Sequence, residues 1–278
     1  FVDEYYKKIW TPEYTRDIIS SLKGAMKDYQ QTHGLNAYVL GMSGGLDSAV
    51  VAGLSVGLNT KAMFIGINSS EEHRRLAELV AFQYNIEYTE KFISTEQIEN
   101  FKTVLLSTEN DRVAIGNLKA RLRMIALYDL AKKHKACVLS TDNLSELCMG
   151  FWTLHGDVGD FGPIQYLNKG FELQYVAKEL GIPEPVITQL PSDGLGVTEA
   201  NTDEAQLGGN YRYVDTVLFA YFGQATEKIA PVLQQLLLTE RAQRIIQRYH
   251  SSQFKRKDNS VPINKLSTPG RHNYVNHL

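Results

Sequence analysis

The chain has 278 residues, of which 43% are hydrophobic and 22% are charged, and its formal net charge at pH 7 is −2. This composition is typical of a soluble globular protein with enough residues for a substantial core. It shows no basic excess that would indicate a nucleic-acid partner and no apolar run long enough to cross a membrane. The two cysteines, Cys137 and Cys148, lack metal-ligand spacing, so we expect buried free thiols and a cytoplasmic protein.

The first element that the sequence predicts is a helix that starts at Thr11 and Pro12. Threonine suits the cap of a helix and proline its first position. Gly34 is expected to end this helix. Its apolar face is predicted to contain Ile18, Leu22, Met26 and Tyr29.

Residues 37–56 predict a short buried strand, a glycine loop and a helix. The loop is Ser43-Gly44-Gly45-Leu46-Asp47-Ser48. Paired glycines at a helix start expose backbone N–H groups, which can hold a phosphate without a basic side chain. Ser43 and Ser48 would add hydroxyl donors. Asp47 would repel a bare phosphate, and its presence therefore suggests a bridging divalent cation.

This loop is neither a Walker loop nor the dinucleotide-binding fingerprint, because the spacing of both motifs is absent. It resembles the SGGxDS loop of the ATP pyrophosphatase group, enzymes that adenylate a substrate and release pyrophosphate. The alternative is an ordinary glycine turn between a strand and a helix. Since every position of the motif matches and the strand–helix context is right, we predict a nucleotide site.

Strands and helices alternate after this loop. Strands are predicted at 61–67, 86–89 and 136–139, and helices at 71–84, 94–106 and 113–134. The alternation predicts an α/β fold, a doubly wound parallel sheet with helices on both faces, in a single domain over residues 1–278. Ligands of such sheets bind beyond the carboxyl ends of the strands, where Ser43 and Thr141 both fall.

The remaining predictions concern the long helix and the last third of the chain. In the helix at 113–134, the residues expected to face inward are Ile115, Leu118, Leu122, Ile125 and Leu130. Residues 150–163 and 191–209 are expected to be loops. Helices are predicted at 170–180, 211–221 and 227–250, with a polar tail from about residue 251.

Two more stretches carry a closer resemblance. One is GNLKARLRM at residues 116–124; the other is STDNLSE at 140–146, continued by GFW at 150–152 and Gly156-Asp157. With SGGLDS, and in this order, they resemble the ammonia-dependent NAD synthetases from about residue 38 to residue 256. The resemblance implies an adenine-nucleotide alpha-hydrolase-like fold and a homodimer. It also implies that ATP adenylates the carboxylate of deamido-NAD (nicotinate adenine dinucleotide), and that ammonia then forms NAD with release of AMP and pyrophosphate.

The resemblance also implies roles for individual residues. Those matching ATP-binding positions are Gly41, Met42, Ser43, Gly44, Gly45, Leu46, Asp47, Ser48, Thr141, Lys169 and Ser192. Asp47 and Glu146 match magnesium ligands, and a pair of carboxylates suits that hard cation. Arg121 and Asp160 match residues that contact the acid substrate. Taken alone, Arg121 would fit a solvated helix face, and Glu146 a first-turn acid favoured by the helix dipole.

The chain departs from the family's pattern on the side of the acid substrate. Leu154 stands where lysine is common, and Phe254-Lys255 stands where the family has a His-Lys pair. The loop before Asp160 is also one residue shorter. Both substitutions remove a polar donor and leave the ATP side intact. Because Arg121 and Asp160 remain and the basic residues Lys255, Arg256 and Lys257 could compensate, we predict the dinucleotide as substrate and keep amidation of nicotinate mononucleotide as the alternative.

Other enzymes and binding proteins share parts of this pattern. A GMP synthetase or a tRNA-modifying enzyme would share the loop, but the latter predicts a basic surface or a zinc cluster. An adenine-nucleotide-binding module without catalysis would have no need for Asp47, Glu146 and Lys169 together. The length leaves no room for a glutaminase domain, so we expect ammonia that is free or supplied by a separate partner. Trp152 fits stacking on a ring and core packing equally, and His155 has no assigned role.

Overall fold

A parallel sheet forms the centre of the molecule. The computed structural model describes residues 1–105, 111–192, 194–197, 202–223 and 231–257. The strands in these ranges are β1 Ala37–Gly41, β2 Thr60–Gly66, β3 Glu87–Phe92 and β4 Ala136–Leu139, in the order β3-β2-β1-β4. Every neighbouring pair is parallel. The predicted strands and the doubly wound α/β fold are therefore confirmed.

Helices cover both faces of this sheet. Their bounds are α1 Val2–Ile9, α2 Pro12–Thr32, α3 Leu46–Leu54, α4 Glu71–Gln83, α5 Thr95–Lys102, α6 Arg112–His134, α7 Leu144–Met149, α8 Glu172–Leu180, α9 Glu184–Ile187, α10 Asp203–Leu207, α11 Tyr211–Gly223, α12 Pro231–Leu237, α13 Glu240–Ser251 and α14 Phe254–Lys257. No helix in the described ranges is long and apolar enough to span a membrane.

The two faces of β1 belong to two different hydrophobic clusters. Tyr38 and Leu40 are fully buried in the larger cluster, to which α2, α3 and α8 contribute. Val39 points to the opposite face and packs in the smaller cluster, which α6 and β4 line. Side chains of a strand alternate between faces, so a run of apolar residues is required where both faces are covered. The unbroken apolar run of β1 is explained by this position.

The connection between strands fixes where a ligand can bind. From β1 the chain proceeds to β2 and β3 on one side, and it later places β4 on the other side of β1. The register sets Leu40 of β1 opposite Leu139 of β4, so both strands end at the same edge. Loops that leave neighbouring strands in opposite directions open a crevice there. The glycine loop and Ser140-Thr141 both enter this crevice.

Three helix predictions differ from the structure. The helix expected at 227–250 is two helices within the described residues, because the Thr239 hydroxyl caps α13 by accepting from the Ala242 N–H at 3.3 Å. Helix α10 lies in the region expected to be a loop, and Thr202 caps it. Ile125 was expected to face inward and is 65% exposed. The inward face of α6 runs instead through Met124 and Leu127, which rotates Ile125 outward.

Both cysteines are free and buried, as expected. Cys137 is 8% exposed and Cys148 is 1% exposed. Burial raises the pKa of each thiol to about 12, so both stay protonated and unreactive near neutral pH. They belong to the packing of the molecule and contribute nothing to the site.

Candidate active site

A cavity of about 730 Å³ lies at the carboxyl ends of β1, β2 and β4. Its volume is in the usual range for a small-molecule site. Many of the residues predicted to bind ATP or magnesium line it: Gly41, Met42, Ser43, Gly45, Leu46, Asp47, Thr141, Glu146, Lys169 and Ser192. The fold therefore brings together residues that lie up to 151 positions apart in the chain.

Hydrogen bonds inside the glycine loop hold its shape. The Ser48 hydroxyl donates to the Gly45 carbonyl at 3.0 Å and accepts from the Ser43 N–H at 3.3 Å. The Gly45 N–H donates to the Ser43 hydroxyl at 3.2 Å. Ser48 is 2% exposed and does not line the cavity, unlike Ser43. Ser48 therefore supports the loop from behind, while Ser43 faces the cavity.

Gly44 meets two requirements that only glycine satisfies. Its φ is +83°, in the left-handed region. A Cβ at this position would lie 2.2 Å from the His73 carbonyl oxygen, in the first turn of α4. The next residue, Gly45, caps α3 without a side-chain hydrogen bond to the helix. The first N–H groups of α3 therefore keep their donor capacity for an anion.

The Lys169 side chain joins three carboxylates at the base of the cavity. Its Nζ lies 2.8 Å from Asp47 Oδ2, 3.3 Å from Glu146 Oε1 and 3.8 Å from Asp203 Oδ2. Burial by itself lowers the pKa of this lysine, but the three carboxylates outweigh burial and raise it. The Lys169 side chain is therefore positively charged at neutral pH.

Two uncharged side chains position these acids. The Asn143 Nδ2 donates to Asp47 Oδ1 at 2.8 Å, and its Oδ1 caps α7 by accepting from the Glu146 N–H at 3.0 Å. The Tyr211 hydroxyl donates to Asp203 Oδ2 at 2.8 Å and lies 3.1 Å from Glu146 Oε1. The Tyr211 ring also lies under the ammonium, with its centroid 4.3 Å from Lys169 Nζ. Glu146 is thus a helix-cap acid and a cavity residue at once.

The donor set fits magnesium that enters with a nucleotide. Asp47 and Glu146 already share one cation, the Lys169 ammonium, so their oxygens converge. Burial raises the pKa of Glu146, the Lys169 ammonium lowers it, and the Asp47 carboxylate raises it again. A second cation would lower this pKa and so favour the ionised carboxylate. Within the described residues, no three or more His, Cys, Asp or Glu side chains are arranged to hold a metal alone. Magnesium is commonly bound by one or two carboxylates together with phosphates and water.

The residues predicted to contact the acid substrate do not line this cavity. Arg121 Nη2 donates to the Leu154 carbonyl at 3.3 Å, which brings these two positions together. The Asp160 carboxylate accepts from the Tyr128 hydroxyl at 2.6 Å and from the Val138 N–H at 2.8 Å. The sequence-predicted site is therefore divided into an ATP side that the cavity contains and an acid side that lies outside it.

Phe254 and Lys255 also lie outside the cavity. Phe254 is 63% exposed, and Lys255 Nζ donates to the Gly150 carbonyl at 2.8 Å and to the Trp152 carbonyl. Two further cations bind the same segment: Arg256 donates to the Cys148 carbonyl at 2.8 Å, and Arg248 to the Met149 carbonyl at 3.0 Å. These three side chains supply donors to the last carbonyls of α7 and to the residues after it. Trp152 is 6% exposed, which agrees with core packing.

Sequence reasoning missed several residues of the cavity. Asp203 and Tyr211 complete the surroundings of Lys169, and Asp157, Arg123 and His73 also line the cavity. Burial raises the pKa of Asp157, while the pKa of His73 is lowered by burial and by Arg123. Asp203 fell in a region expected to be a loop, and Tyr211 served only to start a helix. Neither carried a local signal of its contact with Lys169.

Comparison with known proteins places these features in context. The family model for NAD synthase matches residues 18–259. The NH3-dependent NAD(+) synthetase of Methanococcus aeolicus is 40% identical over 190 residues, which cover 66% of this chain and 73% of that protein. The NMN synthetase structure from Francisella tularensis superposes with a TM-score of 0.72 at 29% identity, covering 94% of this chain and 99% of that one. The NH3-dependent NAD synthetase structure from Campylobacter jejuni gives 0.67 at 27% identity, covering 87% and 96%.

Proposed function

Because the chain belongs to the NAD synthase family, it is an AMP-forming carbon–nitrogen ligase, and we propose that it amidates the nicotinate carboxyl group of deamido-NAD with ammonia. The observation that carries the proposal is the convergence of the glycine loop, Lys169, Asp47 and Glu146 in one cavity. A site that only binds a nucleotide needs the loop. It has no need of a buried lysine shared between two acids beside that loop.

The first step activates the acid. A carboxylate oxygen of the substrate attacks the α-phosphorus of ATP, and the bond from that phosphorus to the bridging oxygen of the β-phosphate breaks. The electron pair of this bond leaves with pyrophosphate. The N–H groups at the start of α3 and the Lys169 ammonium would hold the departing charge, since both lie at the cavity. Magnesium held by Asp47, Glu146 and the phosphates would supply further neutralisation of that charge.

The second step forms the amide. The ammonia nitrogen attacks the acyl carbon, the bond from this carbon to the AMP oxygen breaks with its electron pair leaving on AMP, and the nitrogen loses a proton to solvent. The nucleophile comes from solution or from a partner, so the protein needs no serine or cysteine nucleophile. Its contribution is to hold the adenylated acid in one geometry and to keep water away from the acyl carbon.

Product analysis tests this reaction. Incubation with ATP, magnesium, ammonium and deamido-NAD should give NAD, AMP and pyrophosphate in equal amounts, because one α-phosphorus is attacked per amide formed. Chromatography of the nucleotides and a pyrophosphate assay measure this ratio. Formation of ADP and phosphate instead would contradict the assignment.

Amidation of nicotinate mononucleotide is the second candidate, and it is favoured by particular residues. Leu154 and the exposed Phe254 offer no hydrogen-bond donor where the family has lysine and histidine. Lys255, the remaining cation of the pair, donates to two backbone carbonyls. The related structure from Francisella tularensis is that of an NMN synthetase. The smaller acid would need fewer contacts on this side.

The variant Leu154→Lys tests whether position 154 contributes to the choice between the two acids. The Leu154 carbonyl already lies 3.3 Å from Arg121, so a lysine here would add a second cation near that side chain. If the position faces the acid, the kcat/KM ratio for dinucleotide over mononucleotide should rise by about tenfold, the effect of one charged hydrogen bond. Steady-state kinetics with both acids measure the ratio in parent and variant. An unchanged ratio would show that position 154 does not face the substrate.

We also propose a homodimer, in the cytoplasm. Ile125 and Tyr128 are 65% and 42% exposed on α6, an apolar pair that a second copy would cover. Sedimentation at micromolar concentration should report about twice the 31.3 kDa chain mass, and Ile125→Asp should shift it toward one chain. Phe82→Asp on α4, at an equally apolar but separate exposed position, is the matched control and should leave the mass unchanged. A parent that sediments as an active monomer would contradict the proposal.

A further inference from the structure

The Lys169 ammonium lies where a metal shared by Asp47 and Glu146 would have to bind. Nζ is 2.8 Å from an oxygen of Asp47 and 3.3 Å from an oxygen of Glu146. Magnesium binds oxygen ligands at roughly 2.0–2.1 Å, so a metal held by the same two oxygens would come close to this nitrogen. Two positive charges at such a separation repel strongly in a buried site. The ammonium and the metal therefore compete for the same oxygens.

We propose that Lys169 keeps divalent metal away from the Asp47–Glu146 pair until the phosphates of a nucleotide take over its charge. Metal and nucleotide then enter together, and the ammonium changes partners from the carboxylates to phosphate. This inference rests on the proposed function, because it assumes that ATP binds in the cavity.

The surroundings of Lys169 supply a second set of partners for this exchange. Asp203 Oδ2 lies 3.8 Å from Nζ, and the centroid of the Tyr211 ring lies 4.3 Å from it. Tyr211 donates to the same Asp203 oxygen and so fixes this carboxylate. An ammonium that leaves Asp47 and Glu146 can stay beside Asp203 and Tyr211 without losing all its counter-charge. Asp203 and Tyr211 are thus positioning residues for the lysine.

Hydrogen bonds hold the backbone at Lys169 in place, so only the side chain of this residue can change partners. The Lys169 N–H donates to the Ser145 hydroxyl at 2.8 Å, and the next N–H, that of Gly170, donates to Asp215 Oδ2 at 2.7 Å. Ser145 belongs to α7 and Asp215 to α11, so two helices hold this backbone. The Lys169 side chain has several rotatable bonds, and a change of partner requires only a change of rotamer. No rearrangement of the sheet is needed.

Manganese binding without nucleotide tests the exchange directly. Electron paramagnetic resonance of free Mn²⁺ is measured during titration of the parent, Lys169→Met and Lys169→Arg. We expect Lys169→Met to bind Mn²⁺ at least about tenfold more tightly than the parent, since a competing charge is removed. Lys169→Arg keeps the charge and should stay close to the parent. Lys178→Met removes the same charge from a more exposed lysine of the cavity wall and is the matched control.

The proposal is overturned if Lys169→Met binds Mn²⁺ no more tightly than the parent, or if Lys178→Met gains as much. A nucleotide arm completes the test: a non-hydrolysable ATP analogue should tighten Mn²⁺ binding to the parent by more than to Lys169→Met. These measurements use no acid substrate and detect no amide. They therefore fail or succeed independently of the identity of the acid.

A further variant covers the case in which Lys169→Met does not fold. Removing one partner of a buried ion pair is strongly destabilising, so the fold of each variant is checked by circular dichroism. Asp203→Asn leaves the lysine and the two proposed metal ligands in place but weakens the second partner of the ammonium. We expect its complex with the ATP analogue to bind Mn²⁺ several-fold more weakly than that of the parent. An affinity equal to that of the parent would refute the role of Asp203.

Discussion

Asp47→Asn and Glu146→Gln should each lower kcat by about two to three orders of magnitude, as the loss of one group that stabilises transition-state charge typically does. Both carboxylates contact the Lys169 ammonium, and both are proposed to hold the metal on the departing pyrophosphate. An amide of the same shape keeps the packing but removes the negative charge. Because that charge acts mainly on the developing pyrophosphate, kcat should fall more than KM for ATP rises. Steady-state kinetics at saturating magnesium measure both constants.

A surface acid provides the control for these two variants. Glu78 lies on α4 with its side chain 59% exposed, at 3.9 Å from Arg74. Exposed pairs of this kind contribute little, so Glu78→Gln should keep parental kinetics. Circular dichroism checks that all three variants are folded. Near-parental turnover of either Asp47→Asn or Glu146→Gln would exclude that residue from the metal site.

Gly44→Ala should abolish ATP binding and destabilise the fold. The added Cβ would lie 2.2 Å from the His73 carbonyl oxygen, and the φ of +83° is unfavourable for alanine. The loop and the first turn of α4 must therefore separate, which displaces the N–H groups at the start of α3. Strain of this kind costs roughly 1–3 kcal/mol, and the steric overlap adds to it. Thermal unfolding and calorimetric titration with ATP measure the two effects.

The neighbouring glycine offers a matched comparison. At Gly45 the φ is −88°, and the nearest atom to an added Cβ would be the Ser43 hydroxyl oxygen at 3.4 Å, an ordinary contact. Gly45→Ala should therefore lower stability by no more than about 1 kcal/mol, the usual effect of losing a glycine cap. Equal loss of stability in the two variants would show that the close approach of His73 to Gly44 is not the cause.

The parts of the fold that the sequence predicted are those with local patterns. The buried strands are apolar runs bounded by turns, and each was found within two residues of its predicted start. The helix cap at Asn143 and the glycine loop are also local, since their partners lie within five residues along the chain. Such features follow from backbone geometry and from hydrogen bonds between near neighbours, so a sequence pattern records them.

Contacts between distant segments of the chain have no such local sequence pattern. Tyr211 reaches Glu146 across 65 residues, and Asn143 reaches Asp47 across 96. Their residue types suit many positions, and only the assembled sheet brings them to the cavity. The exposed Ile125 has the same origin, because the face that α6 turns to the sheet depends on its axial rotation. The resemblance to a family supplied Lys169 and Glu146, and for Glu146 the local pattern alone indicated only a first-turn acid of a helix.

The cations on α13 and α14 have a consequence for the order in which the site is completed during synthesis. Helix α7 has six residues, too few to be stable alone, and it carries Glu146. Donors to its last carbonyls and to Gly150 come from Arg248, Lys255 and Arg256, about a hundred residues later. The partners that shape the glycine loop lie within residues 43–48 and at His73, so they are synthesised well before residues 248–256. The acid opposite the loop gains its full support only when residues 248–256 emerge, so the partners of the glycine loop are present in a growing chain long before those of Glu146.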